Sequence, residues 1–146
     1  MRSANEISGM VLKAARGTGM SIGCAEELGR AAPALAAQGA LDCVNDLLKQ
    51  PFDVPQLVNG SVCDGHAVLA VLAWRDLKAA GVDATLACEV PQVLFDALCA
   101  HTLICGPFEV NEQVWDQLSN FAAKTLVPES DASRLAGAGA GLTDND

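Results

Sequence analysis

Apolar positions near the start of the chain recur at helical spacing. Ile7, Met10, Val11, Ala14 and Ala15 form a single stripe at the spacing of one helix face. Ser3-Ala4-Asn5-Glu6, just ahead of them, has the capping-box pattern, in which a hydroxyl and a carboxylate satisfy the first orphan amides reciprocally. Gly17 reads as the stop. After the loop Gly17-Thr18-Gly19-Met20-Ser21, the stripe Ala25, Leu28, Ala32 and Leu35 predicts a second helix from about Ile22 to Gln38, with Gly39 beyond its end. Pro33 lacks a backbone donor and should kink or split it. On this wheel Glu26 lies opposite the stripe and can pair with Arg30, whereas Glu27 borders the stripe. A third helix, about Leu41 to Lys49, turns Val44, Leu47 and Leu48 inward and stops at Pro51.

Turn residues dominate from Pro51 to Gly65, where Asn59-Gly60 and Asp64-Gly65 predict a loop or an irregular hairpin. Ala67 to Ala80 reads as a central buried helix ending at Gly81. Ala84, Leu86, Cys88 and Val90 alternate with more polar neighbours, as in a half-buried strand. Pro91 opens a short helix to about His101. Leu103-Ile104-Cys105 and Phe108-Glu109-Val110, split by Gly106-Pro107, predict one interrupted strand. A last helix carries Val114, Trp115, Leu118, Phe121 and Ala122 on one face and is closed by Pro128. The fold class expected is α+β: a predominantly helical single domain with a small sheet of two or three strands. Residues 1–127 form its core, and residues 128–146 a Gly/Ala-rich C-terminal tail of the same domain.

Composition sharpens this picture. With 51% hydrophobic and 18% charged residues over 146 positions, the chain can bury a core of its own. Aromatics are few and tyrosine is absent, an Ala-rich helical vocabulary. The net charge of −9 offers no basic cluster for phosphate backbones or anionic lipid, so neither nucleic acid nor membrane is an expected partner. The longest apolar run, Ala67 to Trp74, is too short to cross a bilayer. No secretion signal opens the sequence, so its six cysteines (Cys24, Cys43, Cys63, Cys88, Cys99 and Cys105) read as reduced thiols of a cytoplasmic protein.

Two segments resemble a known family. One is Lys13-Ala14-Ala15-Arg16-Gly17-x-Gly19, continuing to Gly23-x-Ala25-Glu26-Glu27-x-Gly29-Arg30-Ala31. The other is the tail from Val127-Pro128-Glu129-Ser130 through Ser133-Arg134 to Gly137-Ala138-Gly139-Ala140-Gly141-Leu142-Thr143-Asp144-Asn145-Asp146. Together they are similar to an uncharacterised bacterial family, domain of unknown function 3726. The two motifs frame the chain, and the middle is not matched residue by residue. Cys24 stands where that family has Gly, and relatives can be longer. The resemblance implies a shared fold and no activity.

Candidate chemistry is sparse. Gly17-x-Gly19-x-x-x-Gly23 lacks the strand and spacing of a dinucleotide loop, yet amides opening the second helix, with Arg16 nearby, can hold a small anion. Cys63-x-x-His66 and Cys99-x-His101-x-x-x-Cys105 offer metal-ligand types without the paired short spacings of zinc sites, so no metal or cofactor is expected. In the tail, Gly137, Gly139 and Gly141 suit close backbone approach to the body or a second subunit. Arg134 can anchor it on a carboxylate such as Glu27, and Asp144 and Asp146 can hold a hard cation. The leading expectation is a non-catalytic small-ligand-binding or accessory module that self-associates. Its ligand-binding candidates are Arg16, Gly17, Gly19, Glu27, Ser133 and Arg134. The alternative is a small enzyme using Glu27, with Arg16 or Arg134 as anion partner.

Overall fold

The computed structural model describes residues 1–126. The expected tail contacts, including those of Ser133, Arg134, Asp144 and Asp146, lie outside the described residues. Two short strands, β1 (Arg2–Ser3) and β5 (Pro107–Phe108), pair antiparallel. Six helices are described: α1 (Ala4–Gly17), α2 (Ile22–Ala37), α3 (Asp42–Leu48), α4 (Ala67–Ala79), α5 (Gln92–Cys99) and α6 (Glu112–Ala123). A second sheet has the order β2-β3-β4, with β2 (Gln56–Val58) antiparallel to β3 (Ser61–Cys63) and β4 (Thr85–Leu86) parallel to it. The domain is helical α+β, with the sheet content split between two small sheets.

The capping box forms as the sequence predicts. Glu6 N–H donates to Ser3 Oγ at 3.2 Å, and Ser3 N–H donates to Glu6 Oε2 at 2.8 Å. Ile7, Val11, Ala14 and Ala15 are buried, and they pack against Ala25, Leu28, Ala32 and Leu35 of α2. Two glycines set how closely the helices approach. A Cβ on Gly29 would meet Ser8 O at 3.0 Å, which brings α2 against the backbone of α1. A Cβ on Gly17 would collide with the Phe121 carbonyl of α6. Gly17 is therefore the last residue of α1 and a packing site; the cap is Thr18.

Pro33 does not split α2, which runs unbroken through it. Ala31 through Ala36 are all buried, and that packing offsets the one missing hydrogen bond. The Pro51–Gly65 stretch resolves into the β2–β3 hairpin. Its two-residue turn has Asn59 at φ 49° and Gly60 at φ 78°, the pair of left-handed conformations that an Asn-Gly turn supplies.

Two expected strands are shorter than their patterns. The one sought over 84–90 is only Thr85–Leu86, because its partner β3 ends where Asp64 turns away at φ 56°. Ala87 N–H still donates to Val62 O at 2.8 Å, after which no strand remains to pair with. The interrupted strand at 103–110 is only Pro107–Phe108. Its partner β1 has two residues before α1 begins, so Leu103 is left 93% exposed.

Candidate functional site

Three polar arrangements on this scaffold bear on function. The first centres on Glu27. Its Oε2 accepts from Arg30 Nε at 3.2 Å, Arg30 Nη2 at 3.1 Å and Arg75 Nη1 at 2.8 Å. The same two arginines close the C-terminal end of α5. Arg30 donates to Leu98 O at 2.9 Å and to Ala100 O at 2.6 Å, and Arg75 donates to Leu98 O at 3.1 Å. Cations on the last carbonyls of a helix complement its dipole, and one carboxylate holds both in place. The Arg75 hydrogen bond keeps the Glu27 carboxyl below the usual glutamate range, and Arg30 adds to it, against the opposing effect of burial. Glu26 is exposed and makes no bond to Arg30; the i,i+4 pair expected there is replaced by the i,i+3 pair from Glu27. The reason is that Arg30 must reach the α5 carbonyls, on the side where Glu27 lies.

Glu27 and Arg16 do not meet. Arg16 Nη1 donates to Met20 O at 3.0 Å, and its side chain lines a cleft of about 410 Å³ together with Leu12, Lys13, Ile22 and Thr125. This second arrangement lies where α1 ends, α2 begins and the chain leaves α6. The Gly17–Met20 loop does not cradle an anion with its own amides. Thr18, Gly19 and Met20 N–H donate to Ala14 O, Arg16 O and Ala15 O at 3.0–3.1 Å, with Gly19 at φ 100°. The first-turn amides of α2 differ, because Ser21 places no side-chain cap on them.

Among the described residues, cations without a carboxylate partner gather at this cleft. Arg2, Arg30, Lys49, Arg75 and Lys78 each lie within 4 Å of a carboxylate. Lys13, Arg16 and Lys124 have no described carboxylate within that distance. Lys13 and Arg16 line the cleft. Lys124 lies over the Phe121 ring, with its Cβ 3.5 Å from where a Gly17 Cβ would stand.

The third arrangement surrounds His66, the buried N-cap of α4. Its Nδ1 accepts from Val68 N–H at 3.3 Å and its Nε2–H donates to Leu47 O at 2.8 Å, with Phe52 edge-on at 4.9 Å. Both ring nitrogens are occupied, so Cys63 and His66 do not present a ligand pair. The Cys63 thiol donates to Ser61 O, and the Cys88 thiol to Val62 O and Asp64 O. Among the described residues no three His, Cys, Asp or Glu side chains gather as a metal site. His101 and Cys105 instead edge a separate cleft of about 240 Å³ with Asn5, Ser8 and Thr102. All six cysteines are free thiols; five are half-buried and Cys105 is exposed.

The stretch that carries α1, the loop and α2 is also the stretch a family model recognises. Residues 2–57 match the family described as protein of unknown function DUF3726. The DUF3726 match contains Lys13, Arg16, Gly17, Gly19, Glu27 and Arg30, and it ends within β2, ahead of Arg75. The second half of the resemblance, in the tail, lies beyond it. No curated protein and no solved structure matches the chain.

Sequence reasoning missed Arg75 and Lys13. Arg75 sits 48 positions from Glu27, and only the α4–α2 packing joins them. Lys13 could have been found, since Lys13 and Arg16 lie three apart on one helix face away from the apolar stripe.

Proposed function

We propose that this chain is a non-catalytic module that binds a small anionic ligand in the cleft between the end of α1 and the start of α2. The observation that carries the reading is the gathering there of cations with no described carboxylate, in a chain of net charge −9. Lys13 and Arg16 supply the charge, and the uncapped first turn of α2 supplies donors whose dipole favours an anion. Leu12 and Ile22 give the cleft an apolar wall against which a ligand body can rest. Glu27 is unsuited to general-base work, because its depressed pKa and three arginine hydrogen bonds leave little proton affinity near neutrality. Self-association is part of the proposal: β2 is an edge strand without a charged residue, its Leu57 and Val58 are exposed, and so is Val54 just before it. The free thiols favour a reducing, cytoplasmic setting; no described helix is long and apolar enough to cross a membrane.

Calorimetric titration of the full chain with inorganic phosphate at low ionic strength tests the reading. Binding should weaken about 10-fold or more in Lys13→Ala/Arg16→Ala, as loss of charge-assisted hydrogen bonds entails. Equal binding by both proteins, or none by either, would refute it.

A further inference from the structure

The chain leaves α6 at the basic cleft and continues there into an acidic segment of sequence. α6 ends at Ala123, Thr125 lines the cleft beside Lys13 and Arg16, and Leu126 follows, 74% exposed. The next five residues are Val127-Pro128-Glu129-Ser130-Asp131, and across 127–146 the sequence has four acidic residues against one arginine. Glu129 is three residues beyond Leu126 and Asp131 five, spans of up to roughly 11 and 18 Å in extended chain, enough to reach a cleft that the preceding residue already lines. Charge complementarity thus runs opposite to an arginine anchor on Glu27, whose acceptor oxygen is already taken by Arg30 and Arg75.

We propose that the segment 127–131 docks back along the cleft of its own chain, with Glu129 and Asp131 paired to Lys13 and Arg16, and so competes with an external anion. α6 has already ended at Ala123, and Pro128 disfavours helical backbone at the residue before it, which suits an extended segment. Val127 and the exposed Leu126 would then lie against Leu12 and the exposed Ile22. Tethering makes the competition intramolecular, at an effective concentration in the millimolar range. The site is that of the ligand reading above, but the docking needs no external ligand.

The test uses the full chain at low salt. Carbodiimide coupling, which joins an amine to a carboxylate in direct contact, should link Lys13 to Glu129 or Asp131. In a mixture of isotopically light and heavy protein, those links should join residues of the same chain. Amides of 127–133 should exchange more slowly than unprotected amides, and the protection should fall in high salt and in Glu129→Gln/Asp131→Gln. Lys13→Glu/Arg16→Glu should abolish protection, and adding Glu129→Lys/Asp131→Lys should restore it. Phosphate should bind the Glu129→Gln/Asp131→Gln protein about 5-fold or more tightly than wild type, the lower range of ordinary site coupling. Unprotected exchange with no Lys13 link overturns the docking, as do links found only between light and heavy chains. Measurable and equal phosphate affinity in wild type and the Gln variant also overturns it while leaving the ligand reading intact. Protection and same-chain links without phosphate binding to either protein would uphold the docking and remove the ligand reading.

Discussion

Arg75 on α4 donates to Glu27 on α2 at 2.8 Å, across 48 positions of sequence, and the same guanidinium nitrogen donates to Leu98 O at the end of α5. One ion pair therefore joins three helices. Removing its carboxylate leaves two arginines facing helix-terminal carbonyls without the anion that orients them.

Glu27→Gln should accordingly lower stability by about 1–3 kcal/mol, the scale for breaking a charged, partly buried hydrogen-bond set. Glu26→Gln should stay within about 0.5 kcal/mol, as exposed substitutions do. Urea unfolding of the two variants beside wild type measures this. Indistinguishable midpoints would mean that the node contributes nothing to stability.

The same carboxylate sets a pH dependence. Its pKa is depressed in the fold from an ordinary value of 4.5, so its stabilisation is present above that pH and is lost as pH falls through the folded value. The gap in urea midpoint between wild type and Glu27→Gln should be full at about pH 6 and shrink below about pH 4.5. A gap that widens on acidification would contradict the assignment.

Much of the helical frame was legible because it is written locally. The Ser3–Glu6 capping box, the α1 and α2 stripes and the Asn59-Gly60 turn each depend on residues within a few positions of one another. What was not legible depends on a distant partner. Strand length at 84–90 was set by where β3 ends, and Leu103 was freed by the shortness of β1. Pro33 was tolerated because Ala31 to Ala36 are buried against the rest of the fold. At the candidate site, Arg16 was readable from its place near a helix start, while its separation from Glu27 was not. The helical wheel placed Glu27 at the edge of the buried stripe but could not name Arg75.

Close helix packing gives a second contrast. Gly17→Ala pushes a methyl into the Phe121 carbonyl and should cost about 1–3 kcal/mol. Gly9→Ala, in the interior of α1 with open space around it, should stabilise by about 0.5–1 kcal/mol. Thermal melts of both variants decide. A neutral Gly17→Ala would show that α1 and α6 can part at no cost.

Thiol reactivity should follow exposure and local charge. Cys105 is exposed and should alkylate first under native conditions. Cys43 should be among the slowest, because burial, then Asp42 and Asp46, push its pKa up to about 11. Mass spectrometry of peptides after timed iodoacetamide exposure gives the order. Early labelling of Cys43 would place α3 elsewhere than against the core.

The most direct test of the anion-binding account is a phosphate titration followed by amide chemical shifts on isotopically labelled full-length protein. The account predicts concentration-dependent shifts centred on Lys13, Arg16 and the first turn of α2 from Ile22, weakened by salt and lost in Lys13→Ala/Arg16→Ala. Shifts centred instead on Asn5, Ser8 and the 100–105 segment, or no shifts at all, would contradict it.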